Sequence, residues 1–90
     1  AVLFKADGTV ERVKPKDEYF TLIELQRLVG GLIELYPKRL DGDLIVCNEE
    51  GLLRGLPINH TFKRVTDITL VGDILVCPET IFEKTDDEDE

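Results

Sequence analysis

The residue types best suited to binding chemistry are concentrated in residues 47–59, which read CNEEGLLRGLPIN. Arg54 offers a planar fork of donors that suits phosphate or carboxylate. The asparagines carry both donors and acceptors, and the paired glutamates could accept ribose hydroxyls or face a basic partner. The glycines permit tight turns, and the proline stiffens the exit. We therefore predict a binding loop made of Asn48, Glu49, Glu50, Gly51, Arg54, Gly55, Pro57 and Asn59.

The same composition also fits a loop that satisfies itself. Asn and Glu side chains often bond to nearby backbone amides and close turns. In that alternative Arg54 pairs internally and the segment only connects two elements. Residue types alone leave both interpretations open.

The chain contains few residues that are suited to catalysis. His60 is the only histidine, and the two cysteines, Cys47 and Cys77, end apolar runs rather than lying in electropositive surroundings. Glu49 and Glu50 are adjacent, so on an extended chain they point to opposite faces and cannot easily share a metal. The glycine-containing segment GLLRGLP lacks the Lys-Ser/Thr pair of a phosphate-binding loop. We predict no catalytic residue, no metal and no cofactor, with an enzyme as a less favoured alternative.

A hairpin and a helix are predicted in the first part of the chain. Residues 1–15 alternate apolar positions around Asp7 and Gly8, a pair that favours a tight turn. Residues 21–30 have helical apolar spacing, and Thr21 with Glu24 matches a capping box. The glycines that follow favour the left-handed conformation that ends a helix.

Further strands and a second helix are predicted beyond residue 31. LIELYP and DLIVCN suggest a second hairpin, linked by residues 38–42, and ITLVGDILVCPE suggests one or two closing strands. Residues 59–65 could form a short helix, capped by Asn59 or Thr61, with Phe62 and Val65 pointing inward. The sequence predicts an α+β fold: a mostly antiparallel sheet of five or six strands with one main helix on one face.

Two similar octapeptides occur thirty residues apart. GDLIVCNE spans residues 42–49 and GDILVCPE spans residues 72–79. Turn-plus-strand patterns of this kind recur by chance, so we do not infer a duplication. We expect both strands to be central and both cysteines to occupy similar apolar positions.

Size and charge limit the classes of function. The 90 residues suit one domain, predicted at residues 1–82, and so small a core makes a homo-oligomer possible. Residues 83–90 carry six acids against one lysine and are predicted to be a disordered acidic tail. The sequence lacks the basic stripe that would indicate direct nucleic-acid binding, and it has no apolar run long enough to span a membrane. The reduced-thiol pattern without a signal peptide predicts a cytoplasmic protein.

Three motifs resemble a small family found in bacteriophages and mobile elements and known only as a domain of unknown function. They are LVGG-x-IE, NEEG-x-L-x-GLP-x-N and a late VGD, and they span roughly residues 20–77 of this sequence. His60 stands where the family often has a basic residue. The resemblance implies a phage or mobile-element setting, and therefore the cytosol of a host cell, without an established activity. It also favours a site in residues 48–59 over a simple turn.

Small phage proteins without catalytic groups often act by binding. The first hypothesis is a protein that antagonises host defence by inhibiting a host protein, such as a nuclease or effector. The alternative is an oligomer that sequesters a nucleotide signal, with Arg54 on phosphate and Asn48, Glu49 or Asn59 on base or sugar. A single arginine is too few cationic groups to bind a polyphosphate well, so protein inhibition ranks first. A second alternative is an accessory or structural phage protein.

Overall fold

A computed structural model describes residues 1–82 and contains one five-stranded sheet. Its strand order is β2-β1-β5-β4-β3, and every neighbouring pair is antiparallel. The strands are β1 Val2–Phe4, β2 Val10–Arg12, β3 Ile33–Leu35, β4 Leu44–Asn48 and β5 Ile74–Cys77. The predicted α+β fold with a mostly antiparallel sheet is confirmed, at five strands.

Helices lie on both faces of the sheet. Helix α1, Leu22–Val29, covers one face, where Leu25 and Val29 join side chains of β1, β4 and β5 in one buried cluster. Helix α2, His60–Thr66, covers the other face through Phe62, whose ring meets that of Phe4 edge-on at 5.2 Å between centroids. Because both faces are covered, β4 and β5 are apolar at nearly every position.

Helix α1 begins and ends at the predicted residues. The Thr21 hydroxyl accepts from the Glu24 amide at 3.1 Å, and the Glu24 carboxylate accepts from the Thr21 amide at 2.8 Å. A second oxygen of Glu24 accepts from the Lys16 amide at 2.9 Å. Gly30 ends the helix in the left-handed conformation at φ 84°. The capping box therefore also fixes the polar connection that precedes the helix.

Helix α2 also forms near the predicted residues, with one error in its orientation. Asn59 is the cap and Phe62 is buried, as predicted. Val65, predicted to point inward, is 63% exposed. The helix ends after Thr66, and Ile68, beyond its left-handed Asp67 cap, packs against the core instead. Phe62 is the one buried side chain of this helix, and Ile68 adds a further contact with the same cluster after the cap.

The two cysteines lie on opposite faces of the sheet. Cys47 of β4 belongs to the cluster under α2, and Cys77 of β5 belongs to the cluster under α1. Both are buried free thiols, as expected for small apolar residues. Burial raises the pKa of each to about 11, with the nearby Glu34 carboxylate adding to the effect at Cys47. Neither thiol is a ready nucleophile at neutral pH.

The predicted acidic tail, residues 83–90, lies outside the described residues. A short 3-10 helix, Glu79–Ile81, precedes it, and the Ile81 carbonyl accepts from the Phe20 amide at 2.9 Å. Within residues 1–82, neither helix combines the length and the apolar character needed to cross a membrane.

Candidate functional site

Residues 49–58, here called the 49–58 loop, connect β4 to α2, and Asn48 anchors the start of this loop. The Asn48 side chain is buried. Its Nδ2 donates to the Val29 carbonyl at 3.2 Å, and its Oδ1 accepts from the Glu50 amide at 2.8 Å. One amide therefore links the loop to the last turn of α1.

Asn59 anchors the other end of the loop. It is completely buried. Its Nδ2 donates to the carbonyls of Phe4 and Gly72, each at 2.8 Å, and its Oδ1 accepts from the Phe62 amide at 3.0 Å. Both of its polar atoms are engaged within the protein, so Asn59 builds the loop rather than facing an outside ligand.

Close backbone approaches hold the loop against its neighbours. A Cβ placed on Gly51 would lie 2.7 Å from Val71 Cγ2, and one on Gly31 would lie 2.9 Å from both Asn48 Nδ2 and Arg54 Nη1. The Arg54 guanidinium donates to the Gly30 carbonyl at 3.1 Å. These positions favour glycine because a side chain would force neighbouring atoms of the loop, or residue 71, to shift.

The turn of the loop presents two leucines to solvent. Leu52 is 84% exposed and Leu53 is 89% exposed, although both are strongly apolar. We call this pair the apolar tip. The turn around it is closed by hydrogen bonds from the Arg54 amide to the Glu50 carbonyl at 2.9 Å and from the Leu56 amide to the Gly51 carbonyl at 3.0 Å. The exposure is therefore a property of an ordered turn.

A cleft of about 530 Å³ adjoins the apolar tip. It lies on the α2 side of the sheet, where Cys47 and the exposed Glu34 form one part of its lining. The apolar tip with Ile58 forms a second part, and residues 69–71 form a third. Its volume and its largely aliphatic lining are those of a site that could take one or two apolar side chains.

Negative charge surrounds this apolar surface. Glu34 and Glu49 both line the cleft, and no cationic side chain is among its described lining residues. Within residues 1–82, no hydrogen bond or ion pair engages the carboxylates of Glu34, Glu49 or Glu50. A ligand with apolar and basic groups would match this surface better than an anion would.

A second hollow of about 360 Å³ lies beside α1 and is more open. Lys14, Arg27 and Glu24 line it together with Phe20 and Leu28. The Glu24 carboxylate there already accepts from the backbone amides of Thr21 and Lys16, and these bonds lower its pKa. None of the predicted binding residues lies in this hollow.

The structure separates the predicted site residues into two groups. Asn48, Gly51 and Asn59 are buried and bonded or packed inside the protein, and Asn48 also lines the cleft. Glu49, Arg54, Gly55 and Pro57 are exposed, Glu50 is half-buried, and their part in binding stays a prediction. Sequence reasoning missed Leu52, Leu53, Ile58 and Glu34. Two adjacent leucines between glycines in an otherwise polar loop were a usable signal, because such a pair has no core face to fill.

The fold and its site define a small α+β domain whose ordered loop exposes an apolar tip beside a cleft. The chain belongs to the family described as domain of unknown function DUF3846, whose model matches residues 1–89. No curated protein and no solved structure matches the chain.

Proposed function

We propose that this protein is a non-enzymatic binding protein that recognises another protein through the apolar tip and the adjoining cleft. The observation that carries the proposal is the 84% and 89% exposure of Leu52 and Leu53 on a turn held at both ends by buried asparagines. Ordered apolar groups left in water beside a cleft are typical of protein-binding surfaces. Because the loop is already ordered, little conformational entropy is lost on binding.

The same geometry favours a protein over a nucleotide. The Asn59 side chain is completely buried and both of its amide donors are bonded, so it is not available to read a base or a sugar. Asn48 lines the cleft, but its Nδ2 already donates to the Val29 carbonyl and its Oδ1 accepts from the Glu50 amide, which reduces what it can offer a ligand. Arg54, the one cation of the loop, already donates to the Gly30 carbonyl. Glu34 and Glu49 would repel phosphate from the cleft. A nucleotide sponge is therefore the weaker alternative.

The biological setting is part of the proposal. Resemblance to a phage and mobile-element family suggests that the partner is a host protein and that binding antagonises a host defence system in the cytoplasm. An accessory role in phage metabolism or assembly would use the same surface on a different partner. The partner's identity distinguishes these two roles, whereas the binding surface is common to both.

The test compares two double variants, each of which replaces two exposed apolar side chains with glutamine, at different places on the protein. Leu52→Gln with Leu53→Gln removes the apolar tip. Val10→Gln with Ile23→Gln is the control, since these side chains are exposed on β2 and α1, away from the cleft. Tagged full-length chains are used to capture host proteins, and the affinity of each purified candidate is then measured by calorimetry.

We expect one partner to bind the wild type and the control variant equally. Burial of a leucine is worth about 1.5–3 kcal/mol, so loss of both tip leucines should weaken binding at least about a hundredfold. Equal binding of the tip variant would contradict the proposal. Copurification of an ultraviolet-absorbing nucleotide that raises the melting temperature would support the sponge instead.

A further inference from the structure

Strand β3 is the last strand on its side of the sheet within residues 1–82, and its outer edge is unpaired there. The Leu32 carbonyl accepts from the Glu49 amide at 2.8 Å, and the Tyr36 amide donates to the Ile45 carbonyl at 2.9 Å. In an antiparallel pair, hydrogen-bonded and non-bonded positions alternate. The backbone N–H and C=O of Ile33 and Leu35 therefore point away from β4, and they provide two donors and two acceptors to an incoming strand.

Glu34 connects this edge with the cleft. It is the middle residue of β3, it pairs with Cys47 across the sheet, and both residues line the cleft. A residue of an added strand placed opposite Glu34 would share its face of the sheet. Opposite charges at such cross-strand positions attract, and like charges repel.

Charge argues against a second copy of the chain as the added strand. In a two-fold antiparallel pairing that uses the free groups of Ile33 and Leu35, each Glu34 would lie directly opposite the other Glu34. That position is a non-hydrogen-bonded pair, where side chains are closest, so two carboxylates would repel strongly. A register shifted toward Pro37 would lose a backbone donor, because proline has no N–H.

We propose that β3 receives an extended segment of the partner protein as a sixth strand, with a lysine or arginine opposite Glu34 and an apolar side chain entering the cleft. This inference rests on the proposed function and specifies the chemistry of the partner. The free edge groups supply affinity through the main chain. Glu34, Glu49 and the aliphatic lining select a basic and apolar sequence.

The probe is a synthetic peptide, acetyl-Thr-Val-Lys-Val-Leu-Thr-amide, titrated into the full-length chain and followed by NMR. In the antiparallel register its valines lie opposite Leu35 and Ile33, its lysine opposite Glu34 and its leucine opposite Leu32. Two control peptides differ at single features: one has glutamate in place of lysine, and the other has both valine nitrogens methylated, which removes the donors to β3.

We expect shifts of the backbone amides of residues 33–35 and slower hydrogen exchange at Ile33 and Leu35. The glutamate peptide should bind at least about threefold more weakly at low salt, and Glu34→Lys should reverse that preference. The methylated peptide should not protect the two amides. Absence of shifts at residues 33–35 at millimolar peptide, equal binding of the methylated peptide, or an unchanged preference in Glu34→Lys would each overturn the proposal.

Variants of the edge separate this inference from the proposed function. Leu35→Pro removes an outward donor without removing a β3–β4 hydrogen bond, and Leu35→Ala is its matched control. A partner that is lost on removal of the apolar tip but retained by both Leu35→Pro and Glu34→Lys would overturn strand addition and leave the proposed function intact. A dimer seen in sedimentation that dissociates in Leu35→Pro would show that a second copy occupies the edge, and it would also overturn the inference.

Discussion

The side-chain amide of Asn59 donates to the backbone carbonyl of Phe4 at 2.8 Å, although 55 residues separate them in the chain. The same nitrogen donates to the Gly72 carbonyl, and the side-chain oxygen caps α2 at the Phe62 amide. One buried side chain thus joins β1, α2 and the turn before β5. The end of the 49–58 loop is therefore part of the core hydrogen-bonding network.

Replacing Asn59 should strongly destabilise the fold. Asn59→Ala loses a helix cap and removes one donor from each of two carbonyls, so we expect the free energy of unfolding to fall by about 3 kcal/mol. Asn59→Ser keeps a capping oxygen but lacks the amide donors, and it should recover about 1 kcal/mol of that loss. Urea unfolding measures both, with His60→Gln as an exposed control. Equal stability of the alanine and serine variants would contradict this division of roles.

Gly31 and Asn48 should be energetically coupled. A Cβ on Gly31 would lie 2.9 Å from Asn48 Nδ2, which is itself bonded to the Val29 carbonyl. Gly31→Ala should therefore cost more than about 1 kcal/mol, and Asn48→Ala about 2 kcal/mol through its unpaired partners. The double variant should cost less than the sum, because Asn48→Ala removes the atom that the new methyl group meets.

Chemical denaturation of the four proteins in this cycle measures the coupling. Arg54 Nη1 lies at the same 2.9 Å from the built Cβ, but it is the far end of a flexible side chain and can move away. Arg54→Ala is therefore the control, and its cycle with Gly31→Ala should show a smaller coupling than the cycle with Asn48. Additive effects in the Asn48 cycle would show that the close approach is relieved elsewhere.

Local sequence signals were sufficient for most of the fold. The capping box at Thr21 and Glu24 begins α1, and the left-handed Gly30 ends it. Each of these signals involves residues only three or four positions apart in the sequence. The unbroken apolar run of β4 indicated burial on both faces. Strand order was not predictable in this way, because placing β5 between β1 and β4 depends on contacts between distant parts of the chain.

The candidate site was located by residue type, but the roles of its residues depended on tertiary contacts. A buried asparagine bonded to a carbonyl 55 residues away has the same local sequence as one that faces a ligand. The polar atoms of Asn48 and Asn59 therefore suggested contacts with a ligand, whereas the structure shows them in hydrogen bonds within the protein. Leu52 and Leu53 were overlooked because apolar residues are expected inside, and the short closed turn leaves them no route to the core.

Val65 and Ile68 should differ in how strongly the same substitution affects stability. Val65 is 63% exposed on α2, whereas Ile68 packs against the cluster under that helix. Val65→Gln should change the free energy of unfolding by less than about 0.5 kcal/mol, and Ile68→Gln should reduce it by about 1–2 kcal/mol. Thermal or urea unfolding distinguishes them. A larger loss at Val65 would restore the inward orientation predicted from the sequence.

The buried thiols should make the protein less stable in mild alkali. Burial raises the pKa of Cys47 and of Cys77 from 9.0 to about 11. Between these two values the unfolded chain releases thiol protons that the folded chain keeps, so the free energy of unfolding falls as pH rises above 9. We expect a loss on the order of 1 kcal/mol per thiol between pH 8 and pH 10, measured by urea unfolding. The double variant Cys47→Val with Cys77→Val keeps the apolar volume and retains every other titrating group, so it should lack this component. An equal decline in wild type and variant would assign the alkaline sensitivity to other residues.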